Sequence, residues 1–192
     1  MSDAGDLAAF ARENPHFISG IEVIGPNLRF REAMPEDAEF TLSLRLDPDK
    51  NRHISPTSPD IEAQRQWVAA TRKQHMYFIV EHRGRPVGTI RLYDQDGTVC
   101  TWGSWILTND RPDGAPKESA LMIYALSDWL GFTSTLFDVR KPNEKVWGFL
   151  SRLGAEHIGE TDDSYLYSMG RGATREALRD FAPIEVVYAQ SP

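Results

Sequence analysis

Arg111 and Lys117 stand on either side of Gly114 in the stretch TWGSWILTNDRPDGAPKESA, residues 101–120, and residue types in that order suit the capture of an anion. The two cations can make charge-assisted hydrogen bonds to phosphate oxygens, and the glycine lets the main chain come close to them. An apolar, aromatic strand, Thr101 to Leu107, leads into the Pro/Gly loop, and an apolar helical run from Leu121 to Leu130 follows it. A helix that opens at Pro116 or Lys117 aims bare N–H groups and the positive end of its dipole at one point. Phosphate suits such a point. The same residues also suit an ordinary strand-to-helix turn, and the segment alone does not separate the two.

Four groups qualify as proton acceptors. Glu81 lies in MYFIVEH, where apolar neighbours would raise its pKa, although alternation with Ile79 leaves its face open and a solvated strand carboxylate is the plainer account. His53, Ser104 acting through water, and Asp138 are the others. His53 sits in DPDKNRHISPTSPD, residues 47–60, a Pro-, Ser- and Asp-rich loop that could shape an acceptor pocket or be only a solvated connection. Trp102 and Trp105, three apart in a strand, should point to opposite faces unless a bulge at Gly103 intervenes. Substrate contact is assigned to His53, Trp102 and Tyr93, with core packing the default for the aromatic pair. Cys100 reads as a small hydrophobe.

Ordinary elements must position these groups. Asn27–Glu32 alternates as a half-buried strand, and AMPEDAEFTLSLRLD opens a helix on Pro35, Glu36 and Asp37. Asp60 or Ser58 caps a helix over residues 61–74 in which Ile61, Gln64, Val68 and Thr71 lie along one face. Met76–His82 and Pro86–Tyr93 flank Arg83-Gly84-Arg85 as a hairpin, and Thr98–Leu107 extends it to a three-stranded meander. Leu136–Arg140 is a short strand, and Asn143 caps a helix, Glu144–Leu153, with Val146, Phe149, Leu150 and Leu153 on its apolar face. AEHIGE and SYLYSM give two more strands, and the tail from Gly170 reads either as a short helix and an edge strand or as a partner contact. Leu7 and Phe10 mark an amphipathic piece near the start.

The composition bounds the partners. The 192 residues are 41% hydrophobic and 26% charged, which suits one globular domain, and the net charge of −7 disfavours nucleic acid and anionic membranes. No run approaches the roughly 20 apolar residues of a membrane span, and the acidic N-terminus is unlike a signal peptide, so a cytoplasmic protein is expected. One cysteine and five scattered histidines offer no metal cluster, so no metal is assigned.

The order strand, two helices, meander, loop–helix, strand, helix, two strands resembles the GNAT superfamily of N-acetyltransferases. Arg111-Pro-Asp-Gly114-Ala-Pro116 is similar to the family's pyrophosphate loop, (Gln or Arg)-x-x-Gly-x-(Gly or Ala), and Asn143–Ala155, NEKVWGFLSRLGA, is similar to its Asn-initiated helix. Two positions depart: Pro116 replaces the last small residue and removes an N–H donor, and Leu150 stands where many members carry a tyrosine acid. The resemblance implies an α/β (α+β) fold, a mixed and mostly antiparallel sheet flanked by helices with splayed central strands. It implies an acetyltransferase domain over residues 27–169, with an N-terminal extension, 1–26, packed on it and a C-terminal extension, 170–192.

It also implies acetyl-CoA as cofactor. The main chain at Ile106, Leu107 and Thr108 would hold the pantetheine, the amides of Gly114, Ala115, Lys117 and Glu118 the phosphates with Arg111 assisting, and Asn143 the pantetheine arm. FIV, GTIRLYD, WGSWIL, FDVRKPNEKVW and LGA resemble a branch tied to bacterial surface-polysaccharide biosynthesis, so the expected acceptor is an amino sugar, nucleotide-linked. Acetylation of a protein N-terminus or lysine and a non-catalytic acyl-CoA-binding module stay beside it as alternatives. A homodimer is allowed.

Overall fold

In the computed structural model, which describes residues 20–188, nine strands form one sheet in the order β7-β8-β6-β5-β4-β3-β2-β1-β9. They are β1 (Ile21–Ile24), β2 (Arg29–Glu32), β3 (Met76–His82), β4 (Arg85–Asp96), β5 (Val99–Leu107), β6 (Ser134–Arg140), β7 (Glu156–Glu160), β8 (Ser164–Gly170) and β9 (Glu185–Tyr188). Every pairing is antiparallel except that of β5 with β6. The helices are α1 (Ala38–Leu46), α2 (Ile61–Thr71), α3 (Ala115–Trp129), α4 (Glu144–Arg152) and α5 (Arg171–Arg179). β1 and β9, from the segments assigned to the terminal extensions, pair with each other at one edge. Leu7 and Phe10 lie outside the described residues.

The meander forms where the sequence places it. Arg83 and Gly84 both take positive φ, 53° and 73°, the backbone of a tight two-residue hairpin whose twist matches the strands it joins. β3 is apolar on both faces because helices cover both. Tyr77 and Ile79 pack with Val68 of α2, while Met76, Phe78 and Val80 join the larger core under α3. In α3 the run Leu121 to Tyr124 is wholly buried, so this helix is apolar all round and lies inside the molecule. Gln64, Val68 and Thr71 are the buried residues of α2, and Asp60 caps it by accepting from the amides of Glu62 and Ala63.

Candidate active site

β5 and β6 pair in parallel only where Val99, Cys100 and Thr101 meet Ser134, Thr135 and Leu136. Beyond Thr101, β5 has no β6 partner and the sheet opens. The cause lies within β5: Ser104 takes φ +50°, and Ile106 to Gly103 oppose the shorter span Thr89 to Arg91 of β4. One extra residue on β5 makes a bulge. This bulge is the exception under which Trp102 and Trp105 need not face apart: the added residue returns both indoles to one side, with ring centres 5.6 Å apart. Trp105 is pinned there by its Nε1–H, which donates to Ser119 Oγ of α3 at 3.0 Å.

A cavity of about 310 Å³ fills the opening. Arg91, Tyr93 and Gly103 line it from the α1–α2 side of the sheet, and Trp102, Trp105 and Phe137 from the other. One cavity can collect both sets because β5 and β6 part. Four residues expected at the site come together here: His53, Tyr93, Trp102 and Ser104. Asp138, exposed on β6, is also in the lining, and so is Leu150. Burial pushes the Tyr93 hydroxyl above its ordinary pKa, so it enters the cavity as a neutral phenol. A Cβ at Gly103 would lie 2.9 Å from that hydroxyl, so the glycine is the floor on which Tyr93 rests.

Glu81 is absent from this group, and the expectation of a catalytic role for it is corrected. Its side chain, 9% exposed, accepts from Arg31 Nε at 2.7 Å, and Arg31 in turn forks onto Asp37 with two 2.7 Å bonds. The glutamate ties β3 to β2 and to the start of α1. Its strand neighbours are apolar, but its carboxylate meets guanidinium groups rather than substrate.

A second cleft of about 350 Å³ adjoins the cavity and shares Trp105 and Val146 with it. Lys50, Leu107, Arg111, Pro116, Lys145 and Phe149 complete its wall. The Thr108 N–H donates to Val87 O at 2.8 Å, and on the same register the polar groups of Ile106 turn toward β4 as well. Of the three residues expected to offer main chain to a pantetheine, alternation leaves Leu107 facing the opening.

The loop also differs from expectation. The Ala115 N–H is committed to Pro112 O and that of Glu118 to Gly114 O, which leaves the amides of Gly114 and Lys117 without a partner among the described residues. The Glu118 carboxylate has another task, accepting from the main-chain N–H groups of Asn27 and Leu28, each at 2.7 Å. The Lys117 ammonium lies toward the Phe181 ring and outside the cleft. Asn143 makes no side-chain cap on α4 and lines the cavity instead.

These residues fit a polyphosphate cofactor. Arg111 lines the cleft with a buried Nε that has no hydrogen-bond partner, although its NH1 donates to Thr108 O. Lys50 and Lys145 add charge. Gly114 has ordinary helical dihedrals and nothing within 4 Å of where a Cβ would stand, so its contribution is room rather than an unusual turn.

Arg45 and Trp67, from the facing helices α1 and α2, and Arg91 of β4 complete the cavity and were not singled out from the sequence. Arg91 carried a signal: it is the one charge in the run Pro86–Tyr93, between Ile90 and Leu92. Arg45 carried none, because a basic residue in the last turn of a helix reads as favourable to the dipole.

A family profile described as "Acetyltransferase (GNAT) domain" matches residues 27–156. No curated protein matches the chain. Among solved structures, apo FdhC, described as a nucleotide-linked sugar GNAT, is 32% identical with a TM-score of 0.73 over 80% of this chain and 92% of that one. RimL, the ribosomal L7/L12 alpha-N-protein acetyltransferase in complex with coenzyme A, is 13% identical with a TM-score of 0.66, covering 78% and 97%. A probable acetyltransferase from Chromobacterium violaceum is 15% identical with a TM-score of 0.68, covering 79% and 87%. At these identities the last two show a shared fold.

Proposed function

The chain belongs to the GNAT acetyltransferase family, a CoA-dependent N-acetyltransferase that uses acetyl-CoA to acetylate an amine, and on that premise we propose that its acceptor is a nucleotide-linked amino sugar of surface-glycan biosynthesis. The observation that carries this reading is the cavity, walled on both sides of the sheet by Trp102, Trp105, Phe137, Tyr93 and Trp67 and edged by arginines. Aromatic faces suit the C–H surface of a sugar ring, and the guanidinium groups suit an acceptor that is itself anionic. An extended acidic groove, which a peptide amine would call for, is not what lines it. FdhC, described as a nucleotide-linked sugar GNAT, supports the same reading.

When bound, acetyl-CoA supplies an activated acetyl thioester. The chain's own part is to hold, orient and deprotonate. Arg111, Lys50 and Lys145 with the amides of Gly114 and Lys117 would hold the phosphates, and Leu107 would offer its main chain to the pantetheine arm with Asn143 nearby. The shared wall of Trp105 and Val146 brings the cleft to the cavity, so the two reactants are held at one point. The acceptor's ammonium must lose a proton to become a nucleophile. His53, Asp138 and, through water, Ser104 are the groups at the cavity that can receive it.

Thiol release from acetyl-CoA with a panel of amines tests the reading. A nucleotide-linked amino sugar should turn over at least tenfold more efficiently, in kcat/KM, than the free amino sugar or a peptide amine. A panel in which a peptide wins overturns it. Within the same assay, removal of the true proton acceptor by His53→Asn or Asp138→Asn should lower kcat by about 10²-fold or more.

A further inference from the structure

We propose that Arg45 and Arg91 form a phosphate subsite at the α1–β4 end of the cavity, and that it takes the diphosphate of the acceptor. The identity of that acceptor rests on the reading above, but the subsite itself rests on geometry.

Both guanidinium groups line the cavity, and neither has an ion-pair partner among the described residues. Four other half-buried arginines differ: Arg31 is paired with Asp37, Arg72 with Glu32, Arg140 with Asp163 and Arg171 with Asp128, whereas Arg111, at the cofactor cleft, shares the unpaired state. Arg45 is held by neutral acceptors only, Thr57 Oγ1 at 2.7 Å and Ser55 O at 3.4 Å. These bonds fix its fork and leave its charge unbalanced. Burial lowers its pKa, and the charge of Arg91 adds to that effect.

Arg91 is fixed differently. Its guanidinium carbon lies 4.1 Å from the centre of the Tyr93 ring and 5.7 Å from that of Trp67, an arrangement that sets the plane of the group and keeps its edge donors available. Its Nε is buried with no hydrogen bond in the structure. A partly desolvated donor without an acceptor is costly, and two such cations facing one cavity repel each other. An anion arriving from solvent would relieve both costs. The carboxylate in the cavity lining, Asp138, is exposed on β6 and pairs with neither arginine.

Two guanidinium forks match two phosphoryl groups better than one. Trp67, 36% exposed, forms the rim past which the rest of a nucleotide would leave.

The test uses full-length protein saturated with CoA, so that the cofactor cleft cannot take the probe, and titrates it with inorganic pyrophosphate, uridine diphosphate and inorganic phosphate by calorimetry. Pyrophosphate and the nucleotide should bind, and Arg45→Gln and Arg91→Gln should each weaken them tenfold or more while CoA affinity stays within twofold. The unchanged CoA affinity reports an intact fold, and Arg91→Lys should recover part of the loss. Failure of both probes to bind the CoA-loaded protein, or equal binding by the Gln variants, overturns the subsite. Inorganic phosphate binding as tightly as pyrophosphate overturns the diphosphate assignment. Steady-state assays keep this inference apart from the acceptor reading. Turnover of a nucleotide-linked amino sugar with unchanged KM in both variants would sink the subsite and spare that reading; pyrophosphate binding lost in the variants, with no turnover of such a sugar, would do the reverse.

Discussion

Arg31 holds Glu81 on one side and Asp37 on the other, and that three-residue network decides what the carboxylate is for. Glu81→Gln removes one charge from a nearly buried pair while Arg31 keeps Asp37. The expected cost is about 1–2 kcal/mol of stability, a fall of about 5 °C in Tm, with kcat at saturating substrates changed less than twofold. Thermal unfolding beside steady-state kinetics checks it, since a general base would take about 10²-fold or more from kcat. Gly103 makes the complementary case. Gly103→Ala puts a methyl group 2.9 Å from the Tyr93 hydroxyl, where a side chain can yield, so Tyr93 should swing aside. KM for the acceptor should then rise about tenfold while KM for acetyl-CoA holds. Neither role was legible one residue at a time: Glu81 alternates with apolar neighbours whichever partner it has, and a glycine in a strand does not say what lies over it.

The strand that opens and the helix proposed to receive the cofactor are where element-level signals were strongest. Arg83-Gly84 and the β-rich runs beside it located the meander, because turn chemistry and alternation are local properties. The bulge at Ser104 was foreseen only as an exception at Gly103, since nothing local demands a left-handed serine. Gly88 lies across from the open part of β5, and a Cβ there would come within 2.6 Å of Ile106 O and 2.5 Å of Leu107 Cδ2. Backbone cannot yield as a side chain can, so Gly88→Ala should cost about 3 kcal/mol in a urea titration and disturb the opening itself. Gly114 predicts the opposite split. Its missing side chain faces open space, so Gly114→Trp should fold with an unchanged Tm yet lose CoA affinity by tenfold or more in calorimetry. Equal affinity would remove the phosphate cradle from this loop.

For the whole molecule, burial of titratable groups on both sides of the sheet gives a pH signature. Cys100 is buried with its thiol pushed well up by desolvation, and burial lifts the Tyr77 phenol to about 12. The folded chain therefore keeps these protons while the unfolded chain releases them from about pH 8.5 for the thiol and about pH 10 for the phenol. The native state binds more protons across that window, so stability is complete below about pH 8.5 and falls as pH rises toward 12. The urea midpoint should drop steadily from pH 8 to pH 11. Because Cys100 is the chain's one thiol, an alkylating reagent at pH 8 should leave native protein unmodified and label it fully in urea. Among the described residues no helix is long and apolar enough to cross a membrane.

Taken alone, the sequence determined the elements and their order, the family, and the loop at Gly114, because hydrophobic period, turn residues and helix starts are set by neighbours a few positions apart. It also picked out His53, Tyr93, Trp102 and Ser104 as candidates. Only the tertiary structure decided that these four share a cavity, that Glu81 belongs to an ion-pair network, and that Arg45 of α1 and Arg91 of β4 line that same cavity. The reason is distance along the chain: charge pairing and desolvation act between groups dozens of residues apart, and their sign is fixed only when the sheet folds and opens.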